Sequence, residues 1–219
     1  MRSELAPLLR GARKRRLEGI ELYELPLALV AIGGIGRSAG TRAAELVVRE
    51  ARPNLLVSAG LAGALAPSLR PGDLLQARLV IDEATGERYQ TTTGDAVLVT
   101  ALRVAGLNGK KRLAASYSAS AVDMEGALVA RTAKQHGIPF VAVKAISDEL
   151  DFPMPPVSGF VDPQGQLRPL AFAGYVAVRP QWWVPTVRLA VNSRRASQKL
   201  SAALEHLIQE HVTATSLSR

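Results

Sequence analysis

The sequence contains no cysteine. Disulfides, thiolate nucleophiles and thiolate metal ligands are excluded together, and a reducing compartment fits. Histidine is scarce too. His136, His206 and His211 have no metal-ligand spacing, so no metal site is expected. His136 precedes Gly137, where a role at a helix C-terminus is expected. No stretch of about 18 apolar residues occurs, so no membrane-spanning helix is predicted. The start, M-R-S-E-L-A-P-L-L-R, does not read as a secretory signal, because its apolar patch is short and the basic cluster follows it.

What is present is the composition of a packed protein. Hydrophobic residues make up 47% of the 219 residues and charged residues 21%, which predicts a core rather than bulk disorder. The length suits one large domain or two small ones. The net charge is +8. It is concentrated at Arg10, Arg13, Lys14, Arg15 and Arg16, at Lys110, Lys111 and Arg112, and at Arg194 and Arg195. These clusters read as solvated basic faces, and such a surface also attracts nucleic acid, acidic lipid or phosphate.

Apolar runs of strand length alternate with segments of helical period. Strands are predicted at Leu27 to Ile32, Leu55 to Val57 and Ile138 to Ile146. Helices are predicted at Ser38 to Glu50, after G-G-I-G-R, and at Val122 to His136, closed by Gly137. This order predicts an α/β domain with a largely buried sheet. Residues 82–96 read as a hairpin or exposed loop. From Asp151 to Pro169 the prolines forbid a long helix. A basic helical tail follows, with Leu189, Leu200, Leu204 and Leu207 on one face and Trp182 and Trp183 just before it. Such a helix packs on its own domain or lies on a membrane surface. The expected division is a core over 1–151 and, over 152–219, a crossing plus helix packed on the same domain.

Two glycine stretches follow strands. I-G-G-I-G-R-S-A-G reads as a tight strand-to-helix turn or an anion-binding turn, and it matches no standard nucleotide motif in register. S-A-G-L-A-G at 58–63 would let a flat ligand rest on backbone, and P-G-D at 71–73 then begins another strand. Asp123 and Glu125, in V-D-M-E-G, suit the acid position at a helix N-terminus. Asp148, in A-I-S-D, suits a cap or turn.

In order, A-G-L-A-G-A-L-A-P-S-L-R-P-G-D, V-D-M-E-G-A-L-V-A at 122–130 and G-I-P-F-V-A-V-K-A-I-S-D at 137–148 resemble the nucleoside phosphorylase/nucleosidase superfamily. That superfamily includes the methylthioadenosine/S-adenosylhomocysteine nucleosidases, and the resemblance covers about residues 1–151. It implies a phosphorylase/hydrolase-like fold: a single α/β domain with a central twisted mixed β-sheet flanked by helices. It also implies cleavage of a purine–ribose bond through an oxocarbenium-like transition state.

By this resemblance Asp148 is the acid that protonates the leaving purine, a role that asks burial to favour its protonated form. Ser147 holds it. Glu125 binds the ribose hydroxyls, Met124 packs on the sugar, and Ala62 and Gly63 line the base pocket. Glu4, in M-R-S-E-L, matches the glutamate that activates water in nucleosidases. In the family a strand precedes that glutamate, so the resemblance implies either a start upstream of Met1 or a sheet lacking that strand, with exposed edges. Where phosphorolytic relatives place an arginine and a serine for phosphate, this chain has Ser58 and Leu61, which favours water as nucleophile. Arg37 or another arginine remains available for the anion contact, so phosphorolysis stays open.

The segment F-V-D-P-Q-G-Q-L-R-P-L at 160–170 and the basic tail resemble the hopanoid-associated phosphorylase branch, which implies an adenosine-type nucleoside with a lipid 5′ substituent. The alternatives are a phosphate-dependent purine nucleoside phosphorylase and a non-catalytic, basic nucleic-acid-binding relative. No cofactor is implied. Expected partners are a purine nucleoside, an anionic membrane surface and further copies of the chain, with no nucleic acid for the enzyme reading. The expected location is the cytoplasm, including the inner face of the membrane.

Overall fold

The computed structural model describes residues 5, 8–162 and 165–217. Two sheets organise it. An antiparallel sheet joins β1 (Arg13–Leu17), β2 (Ile20–Glu24) and β3 (Leu29–Ile32) in that order. The larger, mixed sheet runs β6 (Arg88–Gln90), β5 (Leu74–Asp82), β7 (Ala96–Thr100), β8 (Ala121–Asp123), β4 (Leu56–Ala64), β9 (Phe140–Asp148). Because β5 also pairs antiparallel with β9, five of these strands close a ring, with β6 on its outside. The helices are α1 (Arg37–Ala51), α2 (Leu107–Tyr117), α3 (Gly126–His136), α4 (Pro169–Ala177) and α5 (Trp183–Leu217). This is the expected α/β architecture, a central mixed sheet with flanking helices, accompanied by the smaller β1–β3 sheet.

The core follows from pattern. Every residue of β9 is buried, as expected for a strand covered on both faces. On one side α3 packs Ala127, Ala130 and Ala133 against Leu56, Ala142 and Ile146. On the other, α5 lays Ala196, Leu200 and Leu204 over Val141, Val143 and Ala145. The small helical side chains let the helix axes approach the sheet closely.

Three predicted boundaries need correction. β4 does not stop at Val57 but runs through S-A-G-L-A-G to Ala64, because full-length parallel pairing with β9 outweighs the low strand propensity of glycine. Val122 and Asp123 belong to β8, and α3 begins at Gly126. The Pro-rich segment is irregular as expected, but α4 forms at its end, where Pro169 takes the first helical position. Residues 82–96 form the β5–β6 hairpin turn, β6 and a following loop.

β3 pairs with β2, while β4 pairs with β9 along its length and with β8 only at Gly63 and Ala64. Among the described residues no strand joins β3 to β4. Their facing edges line a cavity of about 1150 Å³, bordered by α1 and by Leu204, Leu207 and Ile208 of α5. Among the described residues no helix is long and apolar enough to cross a membrane.

Candidate active site

Ala62, Gly63, Met124, Glu125, Ser147 and Asp148 all line this one cavity. They arrive from three directions: the end of β4, the β8–α3 junction and the end of β9. Glu4 lies outside the described residues. Leu5, its neighbour in sequence, and Leu8 line the same cavity.

The end of β9 is irregular in a way that matters for its acid. Ala62 pairs with Ile146, but Gly63 pairs with Asp148, so one residue of β9 is skipped. In a regular strand Ser147 and Asp148 would point to opposite faces. The bulge lets neighbouring side chains meet, and Ser147 Oγ donates to Asp148 Oδ1 at 2.5 Å. Asp148 is 2% exposed. Its other oxygen accepts a hydrogen bond from Lys110 Nζ, which also donates to the Glu149 carbonyl. The predicted solvated basic cluster at Lys110, Lys111 and Arg112 is therefore corrected: Lys110 is 1% exposed and faces the acid. Its spacing of three residues from the buried Leu113 of α2 was the available signal.

The two acids of V-D-M-E-G separate by role. Asp123 is structural: Oδ2 accepts from the Gly126 amide at 2.8 Å, at the start of α3, and Oδ1 accepts from Thr100 Oγ1 at 2.7 Å. Lys144 Nζ completes a buried ion pair with it at 2.9 Å and donates to Ser58 Oγ at 2.9 Å. Glu125, partly exposed, turns to the glycine turn instead, where the Gly36 amide donates to its Oε1. The I-G-G-I-G turn does hold an anion, and the anion is the protein's own carboxylate. A Cβ on Gly40 would stand 3.1 Å from that of Glu125, so the first turn of α1 packs directly on this side chain.

Arg37 is likewise engaged. Its two terminal nitrogens donate to Asp82 at 2.7 and 2.8 Å, and Arg131 adds a contact to the same carboxylate at 2.9 Å. Burial opposes the charged form of Asp82. Hydrogen bonds from Arg37 and the Ala84 amide, with the positive charges of Arg37 and Arg131, outweigh it and hold the carboxyl below its ordinary range. Among the described residues no group of three or more His, Asp or Glu is placed to hold a metal ion.

Part of the chain matches a known family. The family model of the phosphorylase superfamily matches residues 90–157, a span containing Lys110, Met124, Glu125, Ser147 and Asp148. Particular relatives come next. The 5′-methylthioadenosine/S-adenosylhomocysteine nucleosidase of Geobacillus kaustophilus is 29% identical over 170 residues, 62% of this chain and 70% of that protein. Futalosine hydrolase of Helicobacter pylori has a similar structure, with a TM-score of 0.73 at 18% identity over 96% of this chain and 94% of that one. The 5′-methylthioadenosine/S-adenosylhomocysteine nucleosidase of the same organism, bound to butyl-thio-DADMe-Immucillin-A, gives 0.67 at 19% identity over 94% and 95%. The chain has the fold of these hydrolases.

Proposed function

We propose that the protein is a purine nucleosidase that cleaves the N-glycosidic bond of an adenosine-type nucleoside. The observation that carries this reading is the convergence of Asp148, Glu125 and Met124 on one cavity. In this reading Asp148 delivers a proton to the purine as the bond to C1′ breaks, which makes the base a better leaving group. Glu125 orients the ribose through its hydroxyls, and its negative charge favours the positive charge growing on the sugar. Met124 supplies an adaptable apolar surface under the ring. Glu4, by its match to the water-activating glutamate of the nucleosidases, activates the attacking water.

Water is the preferred nucleophile on two grounds. The amide of Gly36 and the guanidinium of Arg37 already serve Glu125 and Asp82. Leu61, on the cavity wall, offers no hydrogen-bond donor from its side chain.

The substrate carries a large apolar 5′ substituent, in keeping with the hopanoid-associated branch. Leu167, Leu170, Val178, Trp183, Val184, Val187 and Val191 are exposed, and Leu167 also lines the cavity. Residues 163–204 carry six cationic residues and no acidic one. An apolar face set in positive charge suits an anionic membrane surface, from which such a substrate would be drawn.

The deciding experiment follows release of free adenine from adenosine and from 5′-alkylated adenosines, with and without phosphate. The expected products are adenine and the free sugar at a rate indifferent to phosphate. Formation of a sugar 1-phosphate would move the protein to the phosphorylases, and no purine release from any nucleoside would overturn the enzyme reading.

A further inference from the structure

We propose that Lys110 positions Asp148 and supplies, through it, the proton that the purine takes away. The inference rests on the nucleosidase reading, because it concerns how that reading's acid is charged with a proton. Asp148 accepts on both oxygens, from Lys110 Nζ on Oδ2 and from Ser147 Oγ on Oδ1, so in this arrangement it is an acceptor only. A carboxylate has no proton to give a leaving base. The group that does have one is the ammonium in contact with it.

The placement of Lys110 has no good account in stability alone. It lies in the first turn of α2, where the positive end of the helix dipole disfavours a cation. It is buried at 1% exposure, and buried ion pairs seldom stabilise a protein more than apolar side chains of the same volume. The pair also borders the cavity. Lys110 and Asp148 both line the cavity. A Cβ on Gly63 would stand 3.0 Å from Lys110 Cε and 3.1 Å from Asp148 Oδ2, so glycine at this point of β4 leaves the room that the pair occupies beside the cavity.

The proton balance is simple. The Nζ–H bond of Lys110 breaks and its proton passes to Asp148. Asp148 gives a proton to a purine ring nitrogen while the electrons of the glycosidic bond go to the base. Water adds to C1′ and loses a proton, and Lys110 regains one from solvent, so the net change is nucleoside plus water to purine plus sugar. The other groups facing the pair are Ser147, on Oδ1 of Asp148, and Glu149, whose carbonyl accepts from Lys110 and whose carboxylate faces Arg188 at 3.7 Å. On α2 itself Lys111 is exposed, and Arg112 is paired with Glu83.

The test compares two leaving groups, adenine from adenosine and nitrophenolate from p-nitrophenyl riboside, which departs without protonation. Lys110→Met is expected to lose roughly 100-fold in kcat on adenosine, in the range of general-acid effects. On the nitrophenyl riboside its loss should be at least about tenfold smaller, and the pH dependence on adenosine alone should change. Lys110→Arg keeps a cation that does not release its proton, and it should show the same split even if Lys110→Met does not fold. Equal losses on both substrates with an unchanged pH profile would reduce Lys110 to a structural part and overturn the proposal. So would unchanged adenine release. Cleavage of neither substrate by the wild-type protein would defeat the nucleosidase reading itself.

Discussion

Glu125 accepts a hydrogen bond from the backbone amide of Gly36 at 2.5 Å, across 89 residues of sequence. The carboxylate assigned to the ribose is therefore aimed by the turn that opens α1. Glu125→Gln keeps the shape and removes the charge. Hydrogen bonds to charged groups contribute about 1.5–3 kcal/mol, so kcat/KM for adenosine should fall about 10- to 100-fold. Steady-state kinetics should show a smaller fall for a substrate lacking a ribose hydroxyl. Equal falls for both would remove Glu125 from the sugar.

Asp148→Asn should lower adenine release by about 10²–10⁴-fold. It also leaves Lys110 buried without its counter-charge, so thermal or urea unfolding should show a loss of about 3 kcal/mol. Adding Lys110→Met should recover much of that stability and none of the activity. A double variant no more stable than Asp148→Asn would argue that the two residues are energetically independent.

The Asp82 cluster predicts a pH dependence with a definite sign. The folded protein holds this carboxyl below its ordinary value. Its stabilisation is complete above the unfolded value of about 3.9 and is lost as pH falls through the lower folded value. Glu83 contributes in the same direction: burial opposes its charged form, and hydrogen bonds from Arg112 and the Leu102 amide outweigh it. Asp82→Asn should reduce stability near neutrality by about 1–3 kcal/mol. Melting temperatures measured against pH should show its deficit shrinking in acid. A deficit that stays constant down to strongly acidic pH would contradict the assignment.

The exposed face at α4 and the start of α5 predicts binding to anionic vesicles in co-sedimentation. Val184→Ser and Val187→Ser should each weaken partitioning about tenfold, from the apolar area removed, and added salt should weaken it further. Adenine release from adenosine in solution should be unaffected by either change. Binding that ignores both salt and these substitutions would leave the apolar face without this role.

Much of this site was legible in the sequence because its residues lie in contiguous motifs. V-D-M-E-G and A-I-S-D each occupy one junction, and the cavity walls named from them meet as expected. The partners were less legible. Lys110 sits in a run of three cations that reads as solvated surface, and only its spacing from Leu113 marks it as inward-facing. The pairing of Arg37 with Asp82 spans 45 residues and depends on how α1 meets the end of β5. The strand character of S-A-G-L-A-G was hidden by its glycines, since the pairing with β9 that extends it is a tertiary effect.

The skipped residue at the end of β9 has a chemical meaning beyond local geometry. Had β9 kept its regular alternation to the end, Ser147 and Asp148 would have faced opposite sides of the sheet, and hydroxyl, carboxylate and ammonium could not have formed one chain. A slip of a single residue in register thus sets which atoms share a proton. The residue that the register skips is Ser147 itself, so the slip and the hydroxyl that completes the chain are the same feature.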